Sequence, residues 1–73
     1  MRIDALSLEP NCEYEGKGEM DLFGGASMTF KLRFRTDASS GVVDYRDTSP
    51  GDPMPDEVDI ISLTNLTKGT LVV

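Results

Sequence analysis

The stretch Cys12–Arg35 reads CEYEGKGEMDLFGGASMTFKLRFR, and its parity decides the fold. From Cys12 the even positions are Cys12, Tyr14, Gly16, Gly18, Met20 and Leu22. The odd positions are Glu13, Glu15, Lys17, Glu19 and Asp21. One set is apolar or small and the other is charged, which is the period-2 signature of a half-buried strand. Gly24-Gly25-Ala26 interrupts the pattern as a turn. Beyond it Met28, Phe30, Leu32 and Phe34 alternate with Thr29, Lys31, Arg33 and Arg35. Two strands of opposite direction follow, a long hairpin spanning residues 12–23 and 27–35.

A three-residue loop sets the expected register by pairing Phe23 with Ser27. Leu22 then faces Met28, Met20 faces Phe30, Gly18 faces Leu32 and Gly16 faces Phe34. On the charged side Glu19 meets Lys31 and Glu15 meets Arg35, with Lys17 opposite Arg33 as a poor pair. A two-residue loop mixes the faces, because a one-residue slip swaps them. Glycine suits the left-handed position of the longer loop. Gly16 and Gly18 on the inner face leave room for large neighbours or mark a bend.

The shorter elements follow outward from the hairpin. Arg2 to Leu8 reads as a first strand ended by Pro10-Asn11. Val42 to Arg46 reads as a strand entered through Ser39-Ser40-Gly41. Asp47 to Asp56 carries Pro50, Gly51, Pro53 and Pro55 and is a loop. Glu57-Val58-Asp59-Ile60 alternates, and Ile61 and Leu63 continue on the opposite parity. That phase change predicts a bulge or a strand buried on both faces. Thr70 to Val73 closes the chain as a short strand, and a short helix between Leu63 and Lys68 stays open. The expected fold is all-β: a small antiparallel sheet or partly open barrel of about 5–6 strands, in one domain over residues 1–73.

Size and composition restrict function. At 73 residues, such a chain buries only about 60% of the surface its unfolded form exposes. Its core is therefore small, and self-association or a permanent partner is a natural supplement. Cys12 is the single cysteine, so no internal disulfide forms. It reads as a packing residue, with no second Cys and no His to support a reactive or metal-binding thiol. The absence of cross-links suits a reducing compartment such as the cytoplasm. No signal peptide or membrane span is legible.

Catalysis has little to stand on. There is no His, the commonest acid–base group at neutral pH. No phosphate-binding loop, zinc motif, nucleophile elbow or dinucleotide fingerprint occurs. The expectation is a non-enzyme without a cofactor. The acids Asp44, Asp47, Asp52, Asp56, Glu57 and Asp59 crowd the Pro-rich loop, but their spacing does not match a calcium loop. Asn65-Leu66-Thr67 matches a glycosylation sequon and reads as chance.

Thirteen acids against seven bases give a net charge of −6. This disfavours direct binding to nucleic acid or to anionic membranes and suits a protein partner with a basic surface. Two members of the basic stripe Lys31/Arg33/Arg35, Lys31 and Arg35, are answered by carboxylates across the hairpin, so the stripe reads as sheet stabilisation. The candidate partner-binding residues are the acidic rows Glu13, Glu15, Glu19 and Asp21, and Asp52, Asp56, Glu57 and Asp59. In the expected register Glu13 and Asp21 lack basic partners.

The segment DPMPDEVDIISL, residues 52–63, resembles a pattern in small uncharacterised phage and prophage accessory proteins. There a Pro-containing acidic loop runs into an acid–Val–acid–Ile strand near the C-terminus. The matching positions are Pro55, Glu57, Val58, Asp59 and Ile60. The resemblance implies a phage-encoded protein acting in the host cytoplasm. Very small acidic proteins of that kind are often inhibitors of host machinery, including anti-CRISPR and anti-restriction types. The expected function is thus a small acidic inhibitor that blocks the surface of a host defence or nucleic-acid-processing protein. The alternative is a structural or assembly β subunit that homo-oligomerises, and a homodimer is compatible with both.

Overall fold

The computed structural model describes residues 1–45 and 51–73. Among these residues five antiparallel strands form one sheet in the order β3-β2-β1-β4-β5. They are β1 (Glu13–Asp21), β2 (Ser27–Thr36), β3 (Val42–Tyr45), β4 (Asp59–Asn65) and β5 (Thr70–Leu71). The fold is all-β, and among the described residues the sheet does not close into a barrel.

The hairpin stands, but its register is two residues away from expectation. Tyr14 pairs with Phe34, Gly16 with Leu32, Gly18 with Phe30 and Met20 with Met28. The loop has three residues as expected but begins one position earlier, at Phe23-Gly24-Gly25, closed where the Leu22 amide donates to the Ala26 carbonyl at 2.6 Å. Gly24 and Gly25, at φ +88° and +83°, carry its left-handed backbone. A two-residue shift keeps every side chain on its face, so parity cannot choose between these registers. Aromatic packing identifies the favoured one. The shift sets the Tyr14 and Phe34 rings 5.4 Å apart in a stacked pair, at the centre of the core.

That core is Ile3, Cys12, Tyr14, Leu32, Phe34, Val58, Ile60 and Leu63, all on or against one face of the sheet. β4 lies against β1 through a bulge. Lys17 faces Ser62 while Gly18 faces Ile60, and Ile61 is the extra residue. The phase change at Ile60–Ile61 therefore marks a bulge, with Ile60 and Leu63 buried and Ile61 exposed.

The inner glycines belong to the β1–β4 junction. A Cβ on Gly16 would stand 2.0 Å from the Ser62 carbonyl oxygen, and one on Gly18 would stand 2.3 Å from Val58 Cγ2. Room is needed as expected, but for the bulged β4 backbone and for Val58 as well as for Leu32.

The N-terminal segment is not a strand. Ile3–Ala5 forms a 3-10 turn, and Ile3, Leu6 and Leu8 pack onto the apolar sheet face. The Ile3–Leu6 spacing of three already breaks strand alternation. An open sheet with one apolar face also needs a cover there. Val72 and Val73 add to this cover. A second 3-10 turn, Pro55–Glu57, begins with proline at its first position, where the missing N–H costs nothing. Leu66–Gly69 is a turn joining β4 to β5, so no helix forms between Leu63 and Lys68. Within the predicted Val42–Arg46 strand, β3 covers Val42–Tyr45. Arg46 and the start of the Pro-rich loop, including Asp47 and Pro50, lie outside the described residues.

Candidate functional site

The charged side of β1 is the outer face of the sheet, and the register sorts it into rows. Arg35 faces Glu13, and Arg33 faces Glu15, which in turn faces Thr64. Lys31 faces Lys17 beside Ser62, Thr29 faces Glu19 beside Asp59, and Ser27 faces Asp21. The expected pairs Glu19–Lys31 and Glu15–Arg35 are thus replaced by Glu15–Arg33 and Glu13–Arg35. The poor pair becomes Lys17–Lys31. Glu13 is not left without a base, since its carboxylate meets the Arg33 guanidinium at 3.4 Å on the diagonal. The basic stripe is still faced by acids at Arg33 and Arg35.

The sequence-predicted acids fall into three places. Glu13 and Glu15 sit at the proximal end of the outer face, among the bases. Asp56 lines a cavity of about 820 Å³ between the N-terminal cover and Val42, together with Asp4, Leu6 and Met54, while Asp52 is half-buried in the preceding loop. Glu19, Asp21, Glu57 and Asp59 come together at the distal end. With Arg2 and Met20 they line one cleft of about 330 Å³. They arrive from β1, from the Pro55–Glu57 turn and from the first residue of β4. The turn re-aims Glu57 towards β1, which is why residues nearly 40 apart in sequence meet there. The Met1 amino group bonds Asp59 at the rim of the cleft. Among the described residues no three acids or sulfur ligands converge as a metal site would require.

Sequence reading missed the apolar side of this region. Residues 21–29 are all exposed, because the hairpin runs on past the last residue that β4 pairs, Glu19. The molecule measures 39 × 23 × 19 Å, so it is elongated. Phe23 at the tip has 106% of its reference surface exposed, with Leu22 and Met28 behind it also exposed. The signal was present in the sequence: Leu22-Phe23 is the one large apolar pair placed beside the loop glycines rather than in a strand. A solvated tip favours polar residues, so an exposed Phe at a turn calls for an explanation.

A second polar cluster is structural. Asn65 is 1% exposed. Its amide donates to Glu9 Oε2 at 3.2 Å and to Tyr14 Oη at 3.4 Å, and its Oδ1 accepts from the Lys68 amide at 3.0 Å. Lys68 Nζ closes the network on Glu9 Oε1 at 2.8 Å, and this carboxylate raises the lysine pKa above its ordinary value. The sequon asparagine is a buried structural residue. Cys12 is likewise buried, and the Thr36 hydroxyl accepts from its amide at 3.0 Å.

No protein-family model matches this chain, and neither a curated protein nor a solved structure shows significant similarity to it. Among the described residues no helix is long and apolar enough to cross a membrane.

Proposed function

We propose that this chain is a small acidic binding protein that acts by covering a basic surface of a protein partner. The observation that carries this reading is one composite surface. Glu19, Asp21, Glu57 and Asp59 line a single cleft, and the exposed Leu22-Phe23 tip projects beside it. Interfaces combine a few desolvated aromatic anchors with a polar rim. Here Phe23 is the anchor and the four acids are the rim. The fixed negative field steers a basic partner and sets orientation more than raw affinity.

The resemblance of residues 52–63 to phage accessory proteins supports a more specific form of the proposal. In that form the chain is a phage-encoded inhibitor in the host cytoplasm, of the anti-CRISPR or anti-restriction type. It occupies a basic groove on a defence or nucleic-acid-processing protein and does not bind nucleic acid itself. Glu13 and Glu15 are given the secondary role of neutralising Arg33 and Arg35. Asp56 lines the N-terminal cavity and, with Asp52 in the preceding loop, extends the acidic surface.

The test is affinity capture from host lysate read by mass spectrometry, with two variants beside the wild type. One carries Glu19→Lys, Asp21→Lys and Glu57→Lys, and the other carries Phe23→Ser. A partner with a basic surface that is held by the wild type and lost by both variants supports the reading. Equal capture by all three contradicts it.

A further inference from the structure

We propose that the cleft between the N-terminal cover and β5 binds an uncharged carbonyl group on a small apolar body, an amide or a ketone, with the Tyr14 hydroxyl as its donor. The cleft holds about 390 Å³, within the range of small-molecule sites. It lies where β1 and β4 pair Tyr14 with Asn65, at the end of that pairing opposite the acidic cleft of Glu19 and Asp59.

Tyr14 carries the argument. It is 1% exposed, yet it lines the cleft. Its oxygen accepts from the Glu9 amide at 2.7 Å and from Asn65 Nδ2 at 3.4 Å. A phenol also has a proton to donate, and among the described residues no acceptor takes it. A buried donor left unmet is costly, so its acceptor has to come from the cleft. The hydroxyls of Ser7 and Thr70 stand on the same walls and add two more donors.

The other walls say what bears the acceptor. Leu6, Leu71 and Val72 line the cleft, and Leu71 is 77% exposed. Water could meet the Tyr14 proton but leaves this apolar rim wet, whereas an apolar body covers it. Glu9 is the one charged side chain among the described lining residues. Its carboxylate repels an anion. Both its oxygens already accept, Oε1 from Lys68 Nζ at 2.8 Å and Oε2 from Asn65 Nδ2 at 3.2 Å, so a cation has to compete with Lys68. An uncharged acceptor meets neither obstacle. A free small molecule or the amide of a peptide can present the same carbonyl.

Titration of the isotope-labelled chain, followed by amide chemical shifts, tests this. The probes are benzamide and N-acetylleucine amide. Saturable shifts are expected at Ser7, Thr70, Leu71 and Val72, with a Kd of about 1–10 mM. Tighter binding of N-acetylleucine amide assigns the carbonyl to a peptide, and tighter binding of benzamide assigns it to a small molecule. Benzoate and benzylamine keep the ring but carry charge, and should bind roughly tenfold more weakly. Tyr14→Phe keeps the ring without the proton and should weaken binding about fivefold or more. Leu71→Ser, at an exposed position, should weaken it too, and carries the test if Tyr14→Phe disturbs shifts far from the cleft. The absence of saturable shifts with both amides overturns the proposal. So does equal binding of benzoate or benzylamine, or undiminished affinity in the folded variants. Failure here leaves capture of a basic partner at the hairpin tip as a separate question.

Discussion

Gly16 carries the tightest steric demand in the chain. A methyl group there would stand 2.0 Å from a backbone oxygen that belongs to the β4 bulge, and backbone cannot swing aside as a side chain can. Gly16→Ala is expected to cost about 3 kcal/mol or more. Gly24→Ala, in open space at φ +88°, should cost only about 1 kcal/mol, through backbone strain alone. Urea denaturation of the two variants checks the order, and equal losses would show that the β1–β4 approach is not so close. Tyr14 makes a complementary case. Its hydroxyl accepts from the Glu9 amide at 2.7 Å and from Asn65. Tyr14→Phe keeps the ring stack but orphans these donors, an expected loss of about 1–2 kcal/mol measurable by the same method.

At the scale of elements, alternation made the hairpin, its faces and the bulge at Ile61 legible, since period 2 is a direct consequence of the pleat. The register was not legible, because registers two residues apart share the same faces and only three-dimensional packing separates them. Tyr14 against Phe34 outweighed the Glu19–Lys31 pair, as a buried aromatic contact outweighs an exposed ion pair. The N-terminal cover was missed for a related reason. Ile3 and Leu6 respond to an apolar face built from residues far along the chain. The acids of the candidate site were legible one by one, but their division into proximal and distal groups depends on the turn at Pro55–Glu57. The β2–β3 connection adds a pH-dependent element. Asp37 Oδ1 accepts from the Ser39 hydroxyl and from the Ser39 and Gly41 amides, and the Ser39 hydroxyl bond is the leading cause that lowers its pKa below the ordinary 3.8. A carboxylate with a depressed folded pKa stabilises above its unfolded pKa, and that contribution is lost as pH falls through the folded value. Amide exchange at Ser39 and Gly41 should therefore accelerate under acid below pH 3.8, and Asp37→Asn should remove that dependence. Pronounced acid sensitivity retained in the Asn variant would contradict the assignment.

For the whole molecule, the shape separates stability from recognition. The core lies under the proximal part of the sheet, while the distal hairpin carries exposed Leu22, Phe23 and Met28 beside Glu19, Asp21, Glu57 and Asp59. Phe23→Ser should consequently leave unfolding stability within about 0.5 kcal/mol while removing a contact that recognition needs. Binding that depends on an acidic rim should also weaken as salt rises towards about 1 M, where the screening length falls to about 3 Å. The most direct measurement is partner capture by the wild type, by Phe23→Ser and by the Glu19→Lys/Asp21→Lys/Glu57→Lys variant, each first shown to be folded. The expected result is one basic partner retained by the wild type and lost by both variants. Undiminished capture of that partner by the folded variants would contradict it.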